Sequence, residues 1–171
     1  MHAATSAGAA PAANRTSDPD FVSQEEETYR RSSKLLGGSR FVRSITSKLE
    51  LHAFLIQGMP FGALVSLLDG LTIIEIDDVA AVLGVSTRTL NRHSETPKKA
   101  MPADLASKTW MLAETLAKAS EIFGSKEAAE AWLKKPAMGL DGQRPIEMLQ
   151  TLQGAELVDD FLGRLKYGVY T

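Results

Sequence analysis

The chain has 171 residues, with 19 basic and 21 acidic side chains, a formal net charge of −2, 44% hydrophobic residues and no cysteine. That length suits one medium domain or two small ones. The charge excludes a polycation that coats nucleic acid indiscriminately, and the apolar content excludes disorder along the whole chain. The missing thiols exclude disulfides, thiolate zinc sites, iron–sulfur ligation and a cysteine nucleophile.

Residues 1–20 are mostly Ala, Ser, Pro, Gly and Thr, too poor in bulky side chains to offset the entropy of ordering them. They lack the charged and apolar regions of a secretory signal, and no apolar run in the chain approaches the roughly 18–20 residues of a membrane span. The expected compartment is therefore the cytoplasm. Glu25 to Arg31 suits a helical turn, but Gly37-Gly38 interrupts anything longer, so residues 1–46 are read as a flexible tail.

From Ser47 the pattern becomes periodic. Ser47-Lys48-Leu49-Glu50 is a capping box ahead of Leu51, Phe54 and Leu55; Gly58 ends that helix and Pro60 opens the next segment. Thr72-Ile73-Ile74-Glu75 reads as a second box before Ile76, Val79 and Leu83, although Ile73 to Ile76 also suits a short strand. A helix over Ser86 to about His93 follows, then a long one from about Ala103 to Phe123, stopped by Gly124. Lys126 to Leu133 forms a short helix ending before Pro136. Pro145 sits at the first position of another helix, Gly154 breaks the chain, and Ala155 to Tyr167 forms the last helix, closed by Gly168. The expected fold class is all-α: a helix-turn-helix domain over 47–112 and a small helical domain over 113–171, behind the tail.

The segment Asp77 to Arg92 meets the demands of a helix-turn-helix. Ala80 is small where two steeply crossed helices touch, Gly84 supplies the turn, and Val79, Leu83, Val85 and Leu90 supply a shared core. Ser86 or Thr87 caps the second helix, which leaves Thr87, Arg88, Asn91 and Arg92 outward. Arg pairs with guanine and Asn with adenine in the major groove. Residues 84–100 carry four basic groups against one acidic, whereas 1–83 carry seven against ten and 101–171 eight against ten. The basic window therefore falls on this motif. The plainer alternative is a tight helical hairpin with solvated arginines. The candidate DNA-contacting set is Ser86, Thr87, Arg88, Asn91, Arg92, Lys98 and Lys99, with Arg88 reading bases and Arg92, Lys98 and Lys99 holding phosphates. One such helix is too little for tight specific binding, so a DNA-binding form is expected to be a homodimer.

No catalytic constellation is visible. The histidines are His2, His52 and His93, and no H-E-x-x-H, phosphate loop or G-x-S-x-G occurs. The pairs Asp77-Asp78 and Asp159-Asp160 are adjacent, so on a helix they diverge. No enzyme activity, metal or cofactor is expected. Trp132 reads as a core anchor. Two of the three tyrosines lie in the last five residues beside Arg164 and Lys166, a composition suited to a partner contact rather than a frayed end.

Together these stretches resemble the Xre/MbcA/ParS antitoxin family. The likeness rests on Trp132-Leu133-Lys-Lys-Pro136, Leu140-Asp-Gly142-Gln-Arg-Pro145, Met148-Leu149-Gln-Thr151-Leu-Gln-Gly154 and Gly163-Arg164-Leu-Lys-Tyr167-Gly168-Val169-Tyr170, with Gly58-Met-Pro60 and Thr89-Leu90-Asn-Arg92 upstream. It covers about residues 50–171. The resemblance implies an antitoxin that binds a RES-domain toxin, an NAD-degrading enzyme, through its C-terminal domain, and represses its own operon by binding operator DNA. Arg164, Lys166, Tyr167, Val169 and Tyr170 are the candidate toxin-binding residues, the cations suited to a phosphate-binding region and the rings to the cofactor's space. The alternative function is a stand-alone dimeric repressor whose C-terminal domain only dimerises.

Overall fold

The structure, a computed structural model, describes residues 19–168. Among them the regular elements are α-helices and two short 3-10 turns; the only β-type pairings are isolated bridges, Pro60 with Ala100 and Ala137 with Gln143. The helices are α1 (Pro19–Leu35), α2 (Lys48–Gln57), α3 (Phe61–Gly70), α4 (Ile76–Leu83), α5 (Thr87–Ser94), α6 (Ala103–Phe123), α7 (Lys126–Leu133), α8 (Pro145–Met148) and α9 (Leu152–Lys166). The all-α expectation holds.

The centre of the fold is α6. Leu105, Ala106, Trp110, Leu112, Ala113, Leu116, Ala117 and Ala119 are all buried, so it is apolar around most of its circumference, as a core helix must be. Helices α1, α2, α4, α7 and α9 pack around it. The expected boundary between residues 112 and 113 falls inside this one continuous helix, which both halves share.

Most helix ends follow their local chemistry. The hydroxyls of Ser47, Ser86, Ser125 and Thr151 accept from the backbone N–H three residues on, at the starts of α2, α5, α7 and α9. Gly58, Gly84 and Gly124 end α2, α4 and α6 at positive φ.

Three expectations are corrected. Residues 19–46 are not a flexible tail. Helix α1 lies along α6 and buries Thr28, Tyr29 and Ser32, and beyond it Leu36, Val42 and Ile45 are buried as well. The face was hard to read because Thr28 and Ser32 are polar; their hydroxyls donate to the carbonyls of Gln24 and Thr28 and so enter the core satisfied. The opposite face carries Glu27 bonded to both Arg30 and Arg31, whose guanidinium groups hold its carboxyl down at about 2. The second capping box is also shifted. Glu75 itself caps α4 in a reciprocal pair with Asp78, whereas Thr72 bonds to Glu130. Finally, Gly154 does not break the chain but lies inside α9, which starts at Leu152.

Candidate functional site

The α4–α5 pair is joined by Gly84, Val85 and Ser86. Gly84 adopts φ 69°, and the Val85 N–H donates to the Ala80 carbonyl, so the chain turns within three residues. Val79, Ala80, Leu83 and Leu90 are buried between the two helices and their neighbours, and Val85 is half-buried. This geometry is compatible with a helix-turn-helix. Of the two candidate caps it is Ser86 that accepts from the Thr89 N–H, at 3.1 Å. Arg88, Asn91 and Arg92 are exposed on α5, while Thr87 is half-buried.

Lys98 and Lys99 follow the C-terminal end of α5 and are held there by backbone pairing. The Phe61 N–H donates to the Lys99 carbonyl and the Gly62 N–H to the Pro97 carbonyl, at 2.9 and 2.8 Å, which pins the loop to the start of α3. His93 stacks on Phe61 with ring centroids 4.0 Å apart. Partial burial, then repulsion from Arg92 and Lys99, hold its imidazole below the ordinary value, a sign of how close these cations lie. Among the described residues, Arg88, Arg92, Lys98 and Lys99 make no ion pair, unlike Lys118, Lys126 and Lys134.

On the C-terminal helix the structure separates what the sequence put together. Arg164 lies with its guanidinium carbon 5.7 Å from the centroid of the Phe161 ring, toward one flank of α9. Lys166 pairs with Glu121 of α6 at 3.1 Å, and the Tyr167 hydroxyl donates to Gln24 Oε1 of α1 at 2.8 Å. These two border an open cleft of about 370 Å³ between α1, α6 and α9, floored by Ile122 and Leu162 and crossed by Lys118. Val169 and Tyr170 lie outside the described residues.

The sequence reading missed an aromatic cluster. Trp132 is not fully enclosed; it is half-buried, 5.2 Å from Phe123 and stacked 6.1 Å from Phe161. The Leu157, Phe161 and Arg164 spacing on one helix face was the available signal.

The two halves are also clasped together. Glu130 of α7 is fully buried, and its Oε2 accepts from the successive backbone N–H groups of Thr72, Ile73 and Ile74 at 2.9, 2.7 and 2.9 Å. Its Oε1 takes the Lys126 ammonium at 2.8 Å. Beside it, Lys134 reaches Asp78 in the first turn of α4 at 2.6 Å. Among the described residues, no cluster of three or more His, Asp or Glu is placed to hold a metal ion, and no helix is long and apolar enough to cross a membrane.

A family model described as the antitoxin Xre/MbcA/ParS C-terminal toxin-binding domain matches residues 118–168, from late α6 through α9. The chain is similar to the Antitoxin Xre of Photorhabdus laumondii, 28% identical over 120 residues that cover 70% of this chain and 80% of that protein. It is 28% identical to the Antitoxin Xre of Pseudomonas putida over 129 residues, covering 74% and 77%. Against the Antitoxin Xre of Yersinia enterocolitica the figures are 27% over 95 residues, 55% and 64%. The relatives extend the likeness well beyond the matched domain: the chain carries a match to the Xre/MbcA/ParS toxin-binding domain and is similar to antitoxins Xre over most of its length.

Proposed function

We propose that this chain neutralises a RES-domain, NAD-degrading toxin by covering its active site with the C-terminal domain and tail, and that a homodimer in the cytoplasm represses the operon through α5. The observation that carries the first part is the toxin-binding match at 118–168, which contains the whole of α9. Inhibition then works by occupancy: the end of α9 and the residues after it fill the mouth of the toxin's site, with Arg164 the cation nearest at hand for an anionic subsite. Lys166 and Tyr167 join it only by leaving Glu121 and Gln24, exposed bonds worth little each.

Deleting Gly168 to Thr171 is expected to abolish protection when the chain is co-expressed with toxin: growth arrests and cellular NAD⁺ falls. Full survival with normal NAD⁺ removes the tail from the mechanism. Co-purification of the toxin separates this reading from that of a stand-alone repressor.

The DNA-contacting part is supported by four cations, two along α5 and two in the loop after it, that make no ion pair among the described residues. Arg88→Ala is expected to weaken operator binding by about 1–3 kcal/mol, if Arg88 takes a guanine edge. Lys99→Ala is expected to lower the slope of affinity against salt by about one, as loss of a phosphate contact would. Gel-shift titrations at two salt concentrations read both, and an unchanged Arg88→Ala affinity takes Arg88 off the contact list.

A further inference from the structure

We propose that a stripe formed by Met138, Leu157, Phe161 and Arg164, backed by Trp132, is the main docking surface for the toxin, and that it fits an apolar groove bordered by a carboxylate. The proposal rests on the toxin-binding reading above and goes beyond it. It places most of the binding energy on the side of α9, away from the tail that blocks the site.

The stripe is built from two segments. Leu157, Phe161 and Arg164 follow at four and three residues along α9, so they share one face. Met138 comes from the loop after α7. That loop lies directly on the Phe161 ring at Gly139, where an added Cβ would sit 2.0 Å from a ring carbon. The glycine lets the backbone reach the ring, and Met138 is the exposed residue next to it in the chain.

The surface is open. Met138 is 91% exposed and Leu157 54%. Large apolar side chains grouped in this way mark a contact surface, whereas isolated ones need no explanation. The faces of α9 turned toward the fold are already engaged. Val158 and Leu162 are buried, and Asp159 and Lys166 pair with Lys118 and Glu121 of α6.

The surface is also rigid. Phe161 stacks on Trp132, Trp132 packs on Phe123, and Arg164 lies over the Phe161 ring. Rings held in place before binding lose little side-chain entropy on binding, while Met adapts to the partner's contour. Aromatic and Arg side chains are the types that carry binding hot spots.

Two observations commit the occupant to the toxin rather than to a second copy of this chain. Every residue of the stripe lies within 118–168, the segment matched by the toxin-binding domain. Arg164 also belongs to the last turn of α9, so one partner spans the stripe and the tail without a break. The carboxylate on the partner follows from Arg164, which makes no ion pair among the described residues.

The test compares two doubly charged variants of the full chain by calorimetric titration with purified toxin. Met138→Lys with Leu157→Lys alters the stripe. Leu49→Lys with Ile56→Lys alters two equally exposed apolar residues on α2, outside the matched segment. All four positions face solvent, so melting temperatures serve as the check that each variant folds. The stripe variant is expected to bind at least about 30-fold more weakly, and the α2 variant within about 3-fold of wild type. Unchanged toxin affinity in the stripe variant overturns the proposal, as does a loss confined to self-association, which assigns the stripe to a second copy. If the wild-type chain forms no complex with the toxin, the toxin-binding reading falls with it. A complex that survives the stripe variant removes the stripe alone.

Discussion

Glu130→Ala is expected to cost about 3–5 kcal/mol of folding stability, the range for removing one partner of a buried charged cluster. The carboxylate is fully buried, yet no buried side-chain polar atom lacks a partner among the described residues, so this group is completely used. Alanine leaves three consecutive N–H groups of the 72–74 turn without an acceptor, and Lys126 without its counter-ion. Domains of this size have about 5–15 kcal/mol in all, so a large share is removed. Glu130→Gln keeps the volume and one acceptor and is expected to cost about 1–3 kcal/mol. Urea denaturation with an unchanged m-value measures both, and an alanine variant within about 1 kcal/mol of wild type contradicts the assignment.

The same group predicts the pH dependence. Burial alone pushes the Glu130 carboxyl up, but the Lys126 ammonium and the three N–H donors outweigh it, and the net displacement is below the ordinary 4.5. A carboxyl lowered on folding stabilises above its unfolded value. That contribution is lost as the pH falls through the folded one. Acid unfolding should therefore steepen below about pH 4.5, and Glu130→Gln should flatten that part of the curve. Glu27, at about 2, adds to the same limb but is partly exposed and more strongly screened.

Gly154→Ala is expected to destabilise by about 1–3 kcal/mol or more, even though alanine is the better helix former. Its Cβ would lie 2.0 Å from the Met148 carbonyl oxygen and 3.0 Å from the Thr151 hydroxyl that caps the helix. The obstacle is backbone, and Ile146 and Leu149 on either side of Met148 are buried, so it has little room to withdraw. Gly163 in the same helix is the matched control. An added Cβ there meets nothing within 4 Å, so Gly163→Ala is expected to gain about 0.5–1 kcal/mol. Equal effects at the two positions, read from thermal melts, would show that helix propensity and not the contact with Met148 governs Gly154.

These two glycines show where the sequence was legible. Helices ended by their own caps were readable to the residue: α6 from Ala103 to Phe123 and α7 from Lys126 to Leu133 match their expected bounds. Elements set by distant partners were not. Thr72 looks like a cap until Glu130, 58 residues away, is seen to claim it. The burial of α1 depends on Trp110, against which Tyr29 packs at 6.0 Å. In the candidate site, the α5 side chains follow from local spacing. The divergence of Arg164 from Lys166 and Tyr167 depends on what flanks α9, and the position of Met138 on a loop folded over Phe161.

The clasp at Glu130 also bears on how such chains diverge. What it grips in the 72–74 turn is almost entirely main chain, three N–H groups that any residue but proline supplies. The exposed Ile73 side chain is therefore free to drift, while Ile74 stays in the core and the turn's length and the absence of proline are fixed. A helix in the place of α7 makes this grip wherever it carries a carboxylate at the equivalent of Glu130, whatever the side chain at Ile73. At this point the seam between α7 and the turn before α4 reads backbone shape instead of side-chain identity.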